Sequence, residues 1–228
     1  MTGIDELQIV ALSLKVAFWG VAWGLPLAIA TALVLARARF PGKTLFDAAV
    51  HLPLVLPPVV VGFALLALFG RHGPIGRVLE PLGIVFAFRW TGAALAAAIM
   101  GFPLMVRAIR LAIDAVDTRL EVAARTLGAS RARVFFTVTL PLAWPGLVTG
   151  ALLGFARALG EFGATITFVS NIPGETQTLP LAIYTFTQSP GQDAQAVHLS
   201  ILSVLLSLGA LALSEWLVRR RLPGSAHA

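Results

Sequence analysis

Few side chains in this sequence could do chemistry, and they fall into groups. Arg157 and Glu161 stand four residues apart in ARALGEFG, so on a helix their charges meet one turn apart. At a membrane surface such a pair neutralises itself. An ionised carboxylate at the centre of a bilayer costs about 2.5–3.5 kcal/mol and marks a functional position. A carboxylate is a poor direct ligand for a dianion, so Glu161 reads as a structural or gating group. Beside it lies a neutral polar set, Thr165, Thr167, Ser170, Asn171, Thr176, Gln177 and Thr178. Hydroxyls and amides can donate to a passing oxyanion without trapping it. They can equally bond helix backbone. A further group is EVAARTLGASRARVFF, residues 121–136, which places Glu121, Arg125, Arg131 and Arg133 around Gly128. His51, His72, His198 and His227 have no metal-ligand spacing, and the chain has no cysteine. No Ser/His/Asp set and no GxxxxGK[ST] phosphate loop is present. No metal, no cofactor and no nucleotide hydrolysis are therefore expected of this chain itself.

The elements that position these groups are apolar. The 228 residues are 57% hydrophobic and 12% charged, with mean hydropathy +0.86. Soluble domains carry about 25% charged residues. Val16 to Ala36, Leu52 to Gly70 and Thr91 to Pro103 contain no ionisable residue, and a bilayer span needs roughly 17–25 mainly apolar residues. The composition predicts an all-α integral membrane protein with one transmembrane domain over 1–228. The net charge of +6 does not point to nucleic acid, because the basic residues punctuate the ends of apolar segments instead of forming one soluble face. The start MTGIDELQ carries Asp5 and Glu6, not the basic flank of a cleavable signal.

Five crossings are predicted, near 9–36, 48–70, 91–112, 134–156 and 197–218, with a sixth, short or re-entrant element in 157–190. Pro53, Pro57 and Pro58 should bend or break the second. Segments 37–47, 107–133 and 219–228 then share one face and hold 12 of the 17 Lys and Arg. The positive-inside rule makes that face cytoplasmic and the N-terminus external. Gly20/Gly24 and Gly150/Gly154 have the spacing that permits close helix approach in membranes.

Helix-end chemistry parses the basic stretch. Thr118 and Glu121 fit a capping box, Gly128 a left-handed C-terminus, and Ser130 the cap of the next helix. The product is a rod of about ten residues, roughly 15 Å long, offered to the cytoplasm between two tight turns.

The stretch resembles the signature of inner-membrane subunits of ATP-binding-cassette importers: Glu-Ala-Ala, three residues, Gly, nine residues, Ile-x-Leu-Pro. Here it reads Ala123-Ala124, three residues, Gly128, nine residues, Val138-Thr139-Leu140-Pro141, with the acid one position early at Glu121. LPLVLPPVVVGFALL (52–66) and the stretch from Ala156 to Tyr184 resemble molybdate-type permease subunits, with sulfate and tungstate permeases as close relatives. The run from Gly174 to Tyr184 favours molybdate. The resemblance implies the type I importer permease fold, with two copies of the chain enclosing the pore. It also implies two cytoplasmic ATPase subunits, which bind ATP and Mg, docked on residues 118–135. An external molybdate-binding protein would deliver cargo. It assigns coupling to Glu121, Ala123, Ala124 and Gly128, and the path or gate to Glu161, Thr165, Thr167, Asn171, Thr176 and Thr178. A stand-alone channel would not need a rod capped at both ends.

Overall fold

The computed structural model describes residues 3–221, with side-chain surroundings for residues 6–210 and 212. The segment 222–228, including the histidine at 227, lies outside the described residues, as do the side chains of the arginines at 219–221. Helix α1 spans Gly3–Arg37, α2 Lys43–Val55, α3 Pro58–Phe69, α4 Gly76–Leu79 and α5 Trp90–Asp114. Helix α6 covers Thr118–Thr126 and α7 Arg131–Val134; α8 runs over Leu140–Leu159, α9 over Gly163–Val169, α10 over Leu179–Thr187 and α11 over Asp193–Arg221. No strand occurs among the described residues.

Small residues set the packing of the central helices. A methyl group on Gly20 would stand 3.1 Å from Ala94 O, and one on Gly24 would stand 2.7 Å from Met105 Cε. At one end of α1 the Lys15 ammonium lies 3.7 Å from the Trp90 ring centre. At the other, Arg37 Nη2 donates to Ile113 O at 2.9 Å. Helices α1 and α5 therefore run side by side in the same direction and finish on one face. Helix α8 packs antiparallel on α5: Gly150 faces Ile109, while Gly154 faces both Met105 and Gly101. Without water to drive helices together, such close backbone approach supplies the dispersion contact that associates them. Both predicted glycine pairs sit at these seams.

One span is broken, and a second break follows the span that ends in α8. Helices α2 and α3 meet at 110°, with Pro57 capping α3 and Pro58 in its first turn. Helix α8 stops at Leu159, and α9 starts after Glu161 and Phe162. Helix α9 lies along α3, with Gly163 against Pro58, Ala164 against Gly62, and Phe168 6.4 Å from Phe69. Its far end reaches the start of α5, where Val169 packs on Gly92. Helix α9 thus carries the chain on from α8 toward the Trp90 end. The element expected in 157–190 is partly α9 and partly α10, which sits at the Trp90 end, its Leu179 N–H donating to Ser13 Oγ of α1 at 2.8 Å. Helix α11 returns from that end, with His198 Nδ1 3.4 Å from Glu6. Four helices are long and apolar enough to span a bilayer, and the bent α2–α3 pair makes a fifth.

Candidate functional site

The rod forms as nine residues, and both its ends are closed. Asp117 accepts a hydrogen bond from the Arg119 N–H at 2.9 Å, so the N-cap is Asp117 and not Thr118. Glu121 does not fold back as in a capping box, because it is bound elsewhere. At the C-terminus Gly128 has φ +88, the left-handed region where only glycine is free of Cβ strain. Gly128 N–H donates to Arg125 O at 3.0 Å and Ala129 N–H to Ala124 O at 3.1 Å, the paired bonds of a Schellman ending. Ser130 then caps α7, accepting from the Arg133 N–H at 3.3 Å as expected. A π turn, Phe135–Thr139, joins α7 to α8. Such turns insert an extra residue into the helix and re-aim the turns beyond it.

The rod's outward residues are mixed, with Thr118, Arg119, Arg125 and Thr126 exposed among apolar ones. Leu120, Val122 and Leu127 are exposed, Leu127 to 89%, and Ala123 is exposed beside a half-buried Ala124. Glu121 turns the other way. Its Oε1 accepts from Arg37 Nη2 at 3.0 Å, Arg37 Nε at 3.3 Å and Thr139 Oγ1 at 2.9 Å. The one-position displacement of the acid thus coincides with an inward-facing anchor.

At the second break Glu161 is 3% exposed. Its Oε1 accepts the Ala164 N–H in the first turn of α9 at 2.8 Å, and its Oε2 lies 2.6 Å from Arg157 Nη1. Of the two readings of Glu161, the geometry fits the paired, structural one: the carboxylate ties the end of α8 to the start of α9. Removing one partner of a buried pair leaves the other charge uncompensated. Because Glu161 is deeply buried and Arg157 a quarter exposed, Arg157→Ala should lower the melting temperature of the purified protein more than Glu161→Gln. Differential scanning fluorimetry of both variants in detergent reads that order directly.

The polar set gathers at the Trp90 end. Thr167 Oγ1 donates to Gly163 O at 2.9 Å, within α9. Thr176 Oγ1 donates to Ser170 O at 3.1 Å and accepts the Ile172 N–H at 2.8 Å. Asn171 Nδ2 donates to Thr185 Oγ1 at 2.6 Å. Thr165, Thr176, Gln177 and Thr178 are buried. Asn171 and Thr176 therefore order the loop between α9 and α10, while the buried Thr178 Oγ1 has no hydrogen-bond partner among the described residues. That loop is itself held at Trp90, whose N–H donates to Glu175 Oε1 at 3.4 Å.

The sequence reading ended the fourth crossing near 156 and expected a separate short element after it; the helix runs three residues further, to Leu159. Every partner of Glu121 was missed. Arg37 lies 84 residues from Glu121, and no local signal links the two.

A helical bundle with a broken span and a capped rod on one face is the architecture of a transport permease. The family model of the binding-protein-dependent transport system inner membrane component matches residues 24–223, and the chain belongs to this family. It has the type I ABC importer permease fold, and it is a multi-pass inner-membrane component of such an importer. The chain is 60% identical over 215 residues to the molybdenum transport system permease protein ModB of Escherichia coli (strain K12), covering 94% of each chain. It is 56% identical over 216 residues to ModB of Haemophilus influenzae, again over 94% of each. Among solved structures, a bacterial ABC transporter that imports the acidic polysaccharide alginate superposes with TM-score 0.75 at 18% identity, over 94% of this chain and 79% of that one.

Proposed function

We propose that two copies of this chain form the path of an ATP-driven importer for molybdate, which works by alternating access. The observation that carries this reading is the 60% identity to a molybdenum permease across 94% of both chains. Two ATPase subunits, which alone would bind ATP and Mg, dock on residues 118–135, with Ala123, Ala124 and Gly128 shaping the contact. Glu121 belongs to the same coupling unit. An external binding protein delivers the oxyanion, and most selectivity resides there. The excess of Lys and Arg supports a cytoplasmic placement of the face shared by α6 and the ends of α1 and α5. The N-terminus is then external and the C-terminus cytoplasmic. The gate lies where the α2–α3 and α8–α9 breaks meet. Glu161, Thr165 and Thr167 hold that junction, Asn171 and Thr176 order the loop that closes it externally, and Thr178 belongs to the same path. Discontinuous helices line the substrate site in many secondary transporters, which supports placing the path beside these breaks.

The test is reconstitution of the chain with its ATPase and binding protein in liposomes, and then uptake of labelled molybdate, tungstate and sulfate. ATP-dependent molybdate uptake exceeding sulfate uptake by at least tenfold supports the proposal. Sulfate uptake at the molybdate rate assigns the complex to sulfate, and uptake without ATP assigns the chain to a channel.

A further inference from the structure

The rod has little to hold it to the bundle except one ionic contact. Its main packing partners are the segments just after it in the chain, α7 and the π turn. Its apolar side chains Leu120 and Leu127 face away, and Val122 lies at the edge of the cavity between the rod and α1. The side-chain link from the rod to α1 and α5 is Glu121, held by Arg37, the last residue of α1.

Arg37 is placed as a junction. Its Nη2 donates to Glu121 Oε1 at 3.0 Å, to Ile113 O at 2.9 Å and to Val116 O at 3.3 Å. The same Glu121 oxygen takes the hydroxyl of Thr139, at the root of α8. One guanidinium and one carboxylate oxygen thus collect α1, the end of α5, the rod and α8 at one point. The groups are half-buried, Arg37 to 24% and Glu121 to 18% exposure. They border a 450 Å³ cavity, also lined by Arg125 and Arg131, in which Glu121 is the only acid. Neither Arg125 nor Arg131 has a carboxylate partner among the described residues. The acid could have taken either of them but is held by the arginine that also grips α5. The contact continues: Arg37 Nη1 lies 4.0 Å from Asp114, Asp114 lies 3.7 Å from Arg110, and Arg110 donates to Asp47 of α2 at 2.9 Å. The chain of charges therefore ends on the half-span that precedes the α2–α3 break.

We infer that Arg37 is the positioning residue through which displacement of the rod reaches the spans. This rests on the reading that the rod docks on an ATPase. A guanidinium is suited to the role because it is planar, permanently charged and able to hold a carboxylate and carbonyls together. Glutamine at 37 would keep a donor but lose the charge and the fork.

The test uses the whole reconstituted complex and reads the ratio of oxyanion imported to ATP hydrolysed. With Arg37→Gln, the ATPase should still co-purify and hydrolyse ATP, while the ratio falls at least tenfold. Glu121→Gln should lower it similarly, and the double variant should be no worse than Arg37→Gln alone, because the contact to Glu121 is already lost there. Lysine at 37 should restore part of the ratio. If Arg37→Gln does not assemble, Thr139→Val and Arg37→Lys serve instead, each expected to lower the ratio two- to fivefold. An unchanged ratio in the assembled variants, or strictly multiplicative losses in the double variant, overturns the inference. Failure of the unsubstituted chain to bind any ATPase overturns the docking reading instead.

Discussion

Gly128→Val should reduce ATP-driven uptake at least tenfold while the amount of protein in the membrane stays within about twofold. Glycine is needed here for its backbone and not for space, since a methyl group at Gly128 would meet nothing within 4 Å. At φ +88 a side chain with a Cβ pays about 1–2 kcal/mol, and a β-branched one pays more. The rod ends by two backbone bonds that only this conformation permits, so valine would unwind the last turn and displace Leu127. The spans make no use of Gly128, and the bundle should remain folded. Asparagine tolerates the left-handed region better than other non-glycine residues, so Gly128→Asn should retain several times the uptake of Gly128→Val. Uptake by vesicles at matched protein levels decides it. Equal uptake in the valine and asparagine variants would separate transport from the geometry of the turn.

Gly62→Val should abolish uptake and lower the melting temperature markedly. A Cβ at Gly62 would lie 2.5 Å from Ala164 O, 2.8 Å from Ala164 Cα and 2.9 Å from Thr167 Cβ. Two of these atoms are backbone and cannot swing aside, so α3 and α9 must part. They meet beside both breaks, and any separation there opens the junction that Glu161 holds from the other side. Gly160→Ala is the matched control in the same junction, because its methyl would meet only Ala156 O, at 3.9 Å. The control should transport normally and melt within a few degrees of the unsubstituted protein. Thermal scanning and uptake of the three proteins side by side check both statements.

The parts legible in the sequence were those governed by local chemistry. Long apolar runs placed the spans, the glycine at 128 ended the rod, and Ser130 began the next helix, because each depends on one residue and its neighbours. The N-cap was misplaced by one residue. Asp117 and Thr118 are both competent caps, and the choice turned on Glu121 being drawn away by a residue 84 positions distant. The placement of α9 was hidden for a related reason. ALGEFG reads as the end of a helix, as it is, and only the packing of Gly163 on Pro58 reveals that the next short helix lies along α3. The polar set was legible as a group, but its use was not: hydroxyls that could face an ion instead close bonds to Gly163 O and Ser170 O.

The proposed docking of the rod on a separate ATPase at the cytoplasmic side can be read by crosslinking. The sequence contains no cysteine, so Leu127→Cys places a single thiol on the most exposed apolar residue of the rod. In right-side-out vesicles holding the whole complex, a membrane-permeable thiol crosslinker should join this position to the ATPase subunit, with a yield that changes when ATP is bound. An impermeant external thiol reagent should leave it unlabelled. Labelling from outside, or no crosslink to the ATPase in a complex that transports, would contradict the account.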